Sequence, residues 1–306
     1  MTIPAPISER PVPWFQPKSG KQYAVFMGIL GSLLVGTIAF TVWFKSRVPT
    51  IPPVIQKARN LLDERKFDEA IGVLLPVIQE IEKGGGPEDT RLVKHFDLLA
   101  QVYEATNKYA DAEPYWRRSL YMRSRGLGPD HPEVIGSGDK LAMCLIAEKK
   151  FADAEPLLKK SLAHREKAFG VDDDRTMLSL NRLAELYVLQ QKFDEAAPFA
   201  QRAVTLGRSK IGLQPQGFAD SQRWLGAVLA GQGKPEDAAP LYMNAISLKV
   251  RTLPDAPHIP PKAGQMSHVD FAVLCKEAAA VYRKAGKEKD AKELEAKAEA
   301  ILKPKE

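Results

Sequence analysis

The chain has 306 residues, 44% of them hydrophobic, which is enough to bury a core and too much for a disordered chain. Its formal net charge is +6, but the 44 Lys and Arg interleave with 38 Asp and Glu instead of gathering in one block. The balance therefore describes a solvated helical surface and argues against a nucleic-acid partner. Two cysteines, Cys144 and Cys275, form neither a CxxC nor a disulfide framework, so no redox compartment can be read from them.

Residues 1–22 carry prolines at 4, 6, 11, 13 and 17, which predicts an extended, non-helical tail. Trp14 and Phe15 stand in it as candidates for docking on a partner or resting at a membrane interface, against plain disorder as the alternative. Tyr23 to Phe44, "YAVFMGILGSLLVGTIAFTVWF", then runs 22 residues without a charge. At about 1.5 Å per helical residue it reaches roughly 33 Å, enough to cross a bilayer core. Trp43, Phe44, Lys45 and Arg47 close it with an aromatic and basic edge instead of a small-residue cleavage site, so an uncleaved anchor is expected over a signal peptide. Within it Gly28, Ser32 and Gly36 recur every four residues, a face that would let another transmembrane helix approach closely. Basic residues flank both ends and do not decide the orientation; by analogy with common bacterial anchors, an inside N-terminus and external repeats are expected.

After a linker at 45–53 the chain repeats itself. Lysines head "KFDEA", "KYADAEP", "KFADAEP", "KFDEAAP" and "KPEDAAP" at 66, 108, 150, 192 and 234, each 42 after the last, and Gly86, Gly128, Gly170 and Gly212 keep the same step. A further copy at Lys287 is delayed by a Pro-rich insertion, 254–264. The units fall near 54–83, 88–125, 131–168, 173–210, 216–252 and 267–302, and apolar residues recur at helical spacing in two segments of each. Each unit is thus predicted to be a helical hairpin. Small residues (Ala100, Ala142, Ala184, Gly226, then Ala70, Ala112, Ala154, Ala196, Ala238 and Ala291) mark where the paired helices cross closely.

"LGPDHPEV", Leu127 to Val134, sets an aspartate beside a histidine and could be taken for an acid/base or metal loop. Its parts fit a joint better: Gly126 and Gly128 stop one helix, Pro132 and Glu133 suit the first turn of the next, and Asp130 or His131 can accept from the free amides. The five histidines, His95, His131, His164, His258 and His268, show no HExxH or other paired-ligand spacing. No GxxxxGK[ST], GxGxxG or GxSxG occurs, so neither catalysis, cofactor nor metal is expected.

Leu99, Ala100, Tyr103, Ala112 and Trp116, with Leu183, Ala184, Tyr187 and Ala196, resemble the tetratricopeptide repeat. The 42-residue length, "YADAEP" and "LGPDHPEV" are similar to the kinesin light chain type of that repeat, also widespread in bacterial proteins. The resemblance implies an all-α, right-handed superhelical solenoid of about six hairpins, here preceded by one transmembrane helix, and a concave groove lined by the first helices. Position five of the repeat points into the groove in that family; here the row reads Asp97, Asp139, Asn181, Arg223, and one turn on Gln101, Met143, Glu185, Ala227. Asp97, Gln101, Asp139, Asn181, Glu185 and Arg223 are the resulting partner-contact candidates. The expected function is a non-catalytic, membrane-anchored scaffold that binds a protein or peptide, or else a permanent accessory or assembly subunit of a larger membrane complex, such as a bacterial respiratory, photosynthetic or secretion-type assembly. The expected location is the bacterial inner membrane, with a mitochondrial membrane receptor as the alternative.

Overall fold

The computed structural model describes residues 53–209, 215–251, 253 and 267–302, without the side chains of Asp174, Ser209, Pro215 and Gln216. Trp14, Phe15, Gly28, Ser32, Gly36, the whole 23–44 segment and the 254–264 insertion lie outside the described residues. Val54–Glu306 forms one compact unit.

Twelve helices, and no strand, are found among the described residues. They pair as α1 (Pro53–Asp63) with α2 (Phe67–Gly85), α3 (Leu92–Ala105) with α4 (Tyr109–Leu127), and α5 (Pro132–Ala147) with α6 (Phe151–Phe169). The series continues as α7 (Asp174–Leu189) with α8 (Phe193–Ser209), α9 (Pro215–Gly231) with α10 (Pro235–Val250), and α11 (His268–Lys284) with α12 (Glu288–Ala300).

The turn inside each hairpin is the same device repeated. Arg65, Asn107, Lys149, Gln191, Gly233 and Gly286 all take positive φ, between 56° and 77°, the left-handed residue that ends a helix. The next residue is the lysine that sets the repeat, and its backbone N–H reaches back five residues, as in Lys108 to the Tyr103 carbonyl at 2.9 Å and Lys150 to the Leu145 carbonyl at 2.8 Å. That closure satisfies orphan carbonyls of the first helix and points the chain straight into the second.

Between hairpins, Gly86, Gly128 and Gly170 take φ of 82°, 86° and 96°. Helix α4 runs through Gly126 and stops at Gly128, whose N–H bonds the Ser124 carbonyl. His131 then caps α5, its Nδ1 accepting the Glu133 N–H at 3.2 Å, with Pro132 at the first helical position. The Asp–His pair is a helix start. Asp173 and Ser267 cap α7 and α11 in the same way.

Ala70, Ala100, Ala112, Ala142, Ala154, Ala184, Ala196, Ala238 and Ala291 are wholly buried. At Gly226 even a Cβ would come 2.9 Å from the Tyr242 ring and 3.4 Å from the Ala238 carbonyl. Buried apolar clusters succeed one another along the hairpins, and α12 ends the series with a polar outer side of Lys289, Lys292, Glu293, Lys297 and Glu299. Among the described residues no helix is long and apolar enough to cross a membrane.

Candidate partner-binding groove

A hollow of about 880 Å³ opens along the first helices where the second, third and fourth hairpins turn. Its floor is apolar: Met143, Ile146 and Ala147 come from α5, Phe151 from the start of α6, and Leu189, 48% exposed, from the end of α7. Helix periodicity explains the set, because Met143 and Ile146 lie one turn apart and Leu189 repeats Ala147 after 42 residues.

The walls carry charge. Arg182 pairs with Glu185 at 2.7 Å, three residues apart on α7. Glu104, at the end of α3, accepts the Trp116 indole N–H at 2.9 Å. Burial raises the Glu104 carboxyl above its ordinary range, a shift that the indole donor and Lys140 only partly oppose. The α11 residue Asp270 also lines the hollow, so the array curves enough to bring its last first helix towards Tyr109 of the second hairpin. Burial chiefly, and then the carboxylate of Glu104, push the Tyr109 hydroxyl upward, with Asp270 contributing. Three carboxylates, Glu104, Glu185 and Asp270, thus face two cations, Lys149 and Arg182, over an apolar floor. Such a surface suits a segment with apolar side chains and a positive charge.

Of the six candidates, Glu185 lines this hollow and Gln101 is exposed one repeat before Met143. The other four are engaged in holding the array together. Asp97 accepts from Ser119 and from Arg123, the latter an ion pair of 2.5 Å within one hairpin. Asp139 repeats the arrangement with Arg165 at 2.5 Å, and Arg165 also donates to Ser161 and Ser179. Asn181 is buried and donates to the Gly217 carbonyl at 3.0 Å, in the next hairpin. Arg223 grips Glu277 of α11 through two nitrogens, at 2.6 and 2.9 Å, and stacks on Trp224.

Sequence reasoning passed over Tyr109, Phe151, Leu189 and Asp270. Extending the Met143 row by one helical turn would have found Leu189; Asp270 depends on curvature and leaves no local signal. Both thiols are buried, Cys144 pushed up to about 12 and Cys275 to about 11, chiefly by burial, so neither is a ready nucleophile. No cluster of metal-ligating side chains occurs among the described residues.

Two family models described as Tetratricopeptide repeat match the chain, at residues 95–133 and 137–209. The helical unit is a tetratricopeptide-repeat-like solenoid, a fold whose members are typically protein-binding scaffolds. Among solved structures it is similar to BtubC (BKLC) from P. vanneervenii, at 18% identity and a TM-score of 0.55, covering 78% of this chain and 90% of that one. A kinesin light chain-like protein of nearly identical TPR-like repeats from Podosopora anserina matches at 21% identity and 0.51, over 70% and 95% of the two chains. PilW, a type IV pilus biogenesis factor, matches at 16% and 0.53, over 81% and 91%. No curated protein matches the sequence significantly. At these identities the likeness concerns the fold.

Proposed function

We propose that the protein is a membrane-anchored, non-catalytic scaffold whose groove holds a segment of a partner protein. In this reading Tyr23–Phe44 spans a bacterial inner membrane once and the repeats, wound as a right-handed superhelix, stand outside the cytoplasm. The carrying observation is the 880 Å³ hollow with its apolar floor of Met143, Ile146 and Leu189 and its carboxylates Glu104, Glu185 and Asp270. Partner contacts are assigned to Met143, Glu185, Leu189 and Gln101. Asp97, Asp139, Asn181 and Arg223 act through the shape of the array. Anchoring raises the local concentration of the groove at the membrane, so individually weak contacts suffice.

The test is a mild-detergent pull-down of the full chain after crosslinking in membranes. Met143→Glu with Leu189→Glu should release the groove partner while leaving the helical content and the membrane fraction unchanged. An identical set of co-purifying proteins with and without the two substitutions overturns the groove reading. The spacing of Gly28, Ser32 and Gly36 favours a second reading, a permanent subunit of a larger membrane assembly. Replacing Gly28 and Gly36 by leucine detaches the protein from its complex in that case and leaves the groove partner bound in the first.

A further inference from the structure

The clefts between successive second helices are built alike but not filled alike. At the joint of the first and second hairpins the two filling positions hold Phe96 and Tyr115, rings 5.8 Å apart, with Phe96 wholly buried. At the joint of the third and fourth they hold Leu180, wholly buried, and Phe199, packed in the same cluster as Met177 and Leu206. Between the second and third hairpins the equivalent positions, by the 42-residue step, are Gly138 and Leu157. A Cβ built on Gly138 would meet only the tip of Leu157, at 3.9 Å. Both positions are reduced in size there, and a slot of about 320 Å³ is left between α4 and α6, floored by Ile135, Gly138 and Leu141. At roughly 30 Å³ per water it is about ten waters in size, enough for one leucine- or phenylalanine-sized side chain. It shares no lining residue with the groove on the first helices.

The rim of the slot is basic. Arg117 and Lys160 line it, and through Lys160 it continues into a hollow of about 410 Å³ bounded by His164, Lys167 and Asp130. Arg117 is shared between Glu113 at 2.5 Å and Asp153 at 2.9 Å, whereas Lys160 stands in a loose pair, 3.7 Å from Asp130. Tyr121, half exposed at the edge, is held by Glu88, which Arg125 neutralises. With Arg117 already engaged by Glu113 and Asp153, the charge left to a partner is that of Lys160 and Lys167 against one carboxylate, Asp130, the reverse of the groove's balance.

We infer that this slot is a second docking site, for a linear segment of another protein that inserts one large apolar side chain beside Gly138 and lays carboxylates along Lys160 and Lys167. The apolar side chain supplies affinity by leaving water, and the flanking acids fix direction and reject basic segments.

The probe is a fluorescein-labelled peptide, Gly-Ser-Phe-Asp-Glu-Asp-Gly, titrated by anisotropy against the full chain in nanodiscs. Gly138→Leu with Leu157→Phe installs the filling of the next joint and should weaken binding about tenfold or more, the loss of one buried side chain's contribution. Lys160→Glu with Lys167→Glu should weaken it too, as should alanine in place of the peptide's phenylalanine or lysines in place of its acids. Met143→Glu should leave the affinity as it was, which separates this site from the groove. Binding that is undiminished by the filling pair or by the charge-reversed pair overturns the proposal, as does absence of binding to the unaltered chain. Should the filled protein fail to fold, the surface pair and the alanine peptide decide: affinity unchanged by either overturns it.

Discussion

The second and third hairpins use one repeat position to close on themselves, and the fourth and fifth use it to reach forward. In the former, Asp97 and Asp139 on the first helix bind Arg123 and Arg165 on the second helix of the same hairpin. In the latter, Asn181 donates to Gly217 and Arg223 grips Glu277, each in the hairpin that follows. The reason lies 26 residues downstream, where Arg123 and Arg165 give way to Gly207 and Lys249 while Ser119 and Ser161 give way to Ala203 and Ala245. Asn181 thus finds a glycine in place of a cation. Arg223 is itself a cation, and Lys249 pairs instead with Asp220 at 2.8 Å. In both hairpins the first-helix side chain turns to the neighbouring unit. Equivalence in a repeat therefore fixes where a side chain starts, and its surroundings fix what it does.

The sharpest way to break the contrast is to force the earlier arrangement onto the later hairpin. A Cβ at Gly207 would lie 2.2 Å from the Phe218 ring, so α9 packs where an arginine would need to stand. Gly207→Arg should cost about 2–3 kcal/mol by overpacking, read as a fall in the urea midpoint. Adding Asn181→Asp to supply the missing carboxylate should not restore the midpoint, because the clash is steric. Next in size is removal of a latch. Asp139→Ala leaves the Arg165 guanidinium, 16% exposed, without its carboxylate, an expected cost of about 2 kcal/mol. Arg165→Met in the same chain should recover part of that loss, whereas equal losses that simply add would show that the pair is not coupled. The smallest effect has the opposite sign. Gly138→Ala removes backbone freedom inside α5, where a Cβ meets nothing closer than Leu157 at 3.9 Å, and should raise the urea midpoint by the equivalent of about 0.5–1 kcal/mol.

Much of this was written locally. The hairpins, the close-crossing alanines and the role of His131 depend on residues a few positions apart, and the structure follows them, whereas the left-handed turn before each lysine is shared by Arg65, Asn107, Lys149, Gln191, Gly233 and Gly286, which have no common side chain to announce it. The candidate site was legible in part. Glu185 stands in the groove where its row puts it, but the row of Asp97 reads as open only while first helices are compared with each other. Its partners recur at a fixed distance in the second helices, Asp97 with Arg123 and Asp139 with Arg165, so that signal was present in the chain as a second, interlocking repeat. The slot beside Gly138 was equally available, as a glycine and a leucine standing where the second unit carries Phe96 and Tyr115 and the fourth Leu180 and Phe199.

From the sequence alone follow the succession of hairpins and the faces they bury, because helix periodicity and caps are properties of short stretches of chain. Only the tertiary structure decided how strongly the array curves, and hence that Asp270 shares a hollow with Tyr109. It also decided which charges are used between helices and which remain for a partner. Curvature is the accumulated sum of small packing angles between hairpins, each set by side chains that meet across the joint, and no local pattern carries that sum.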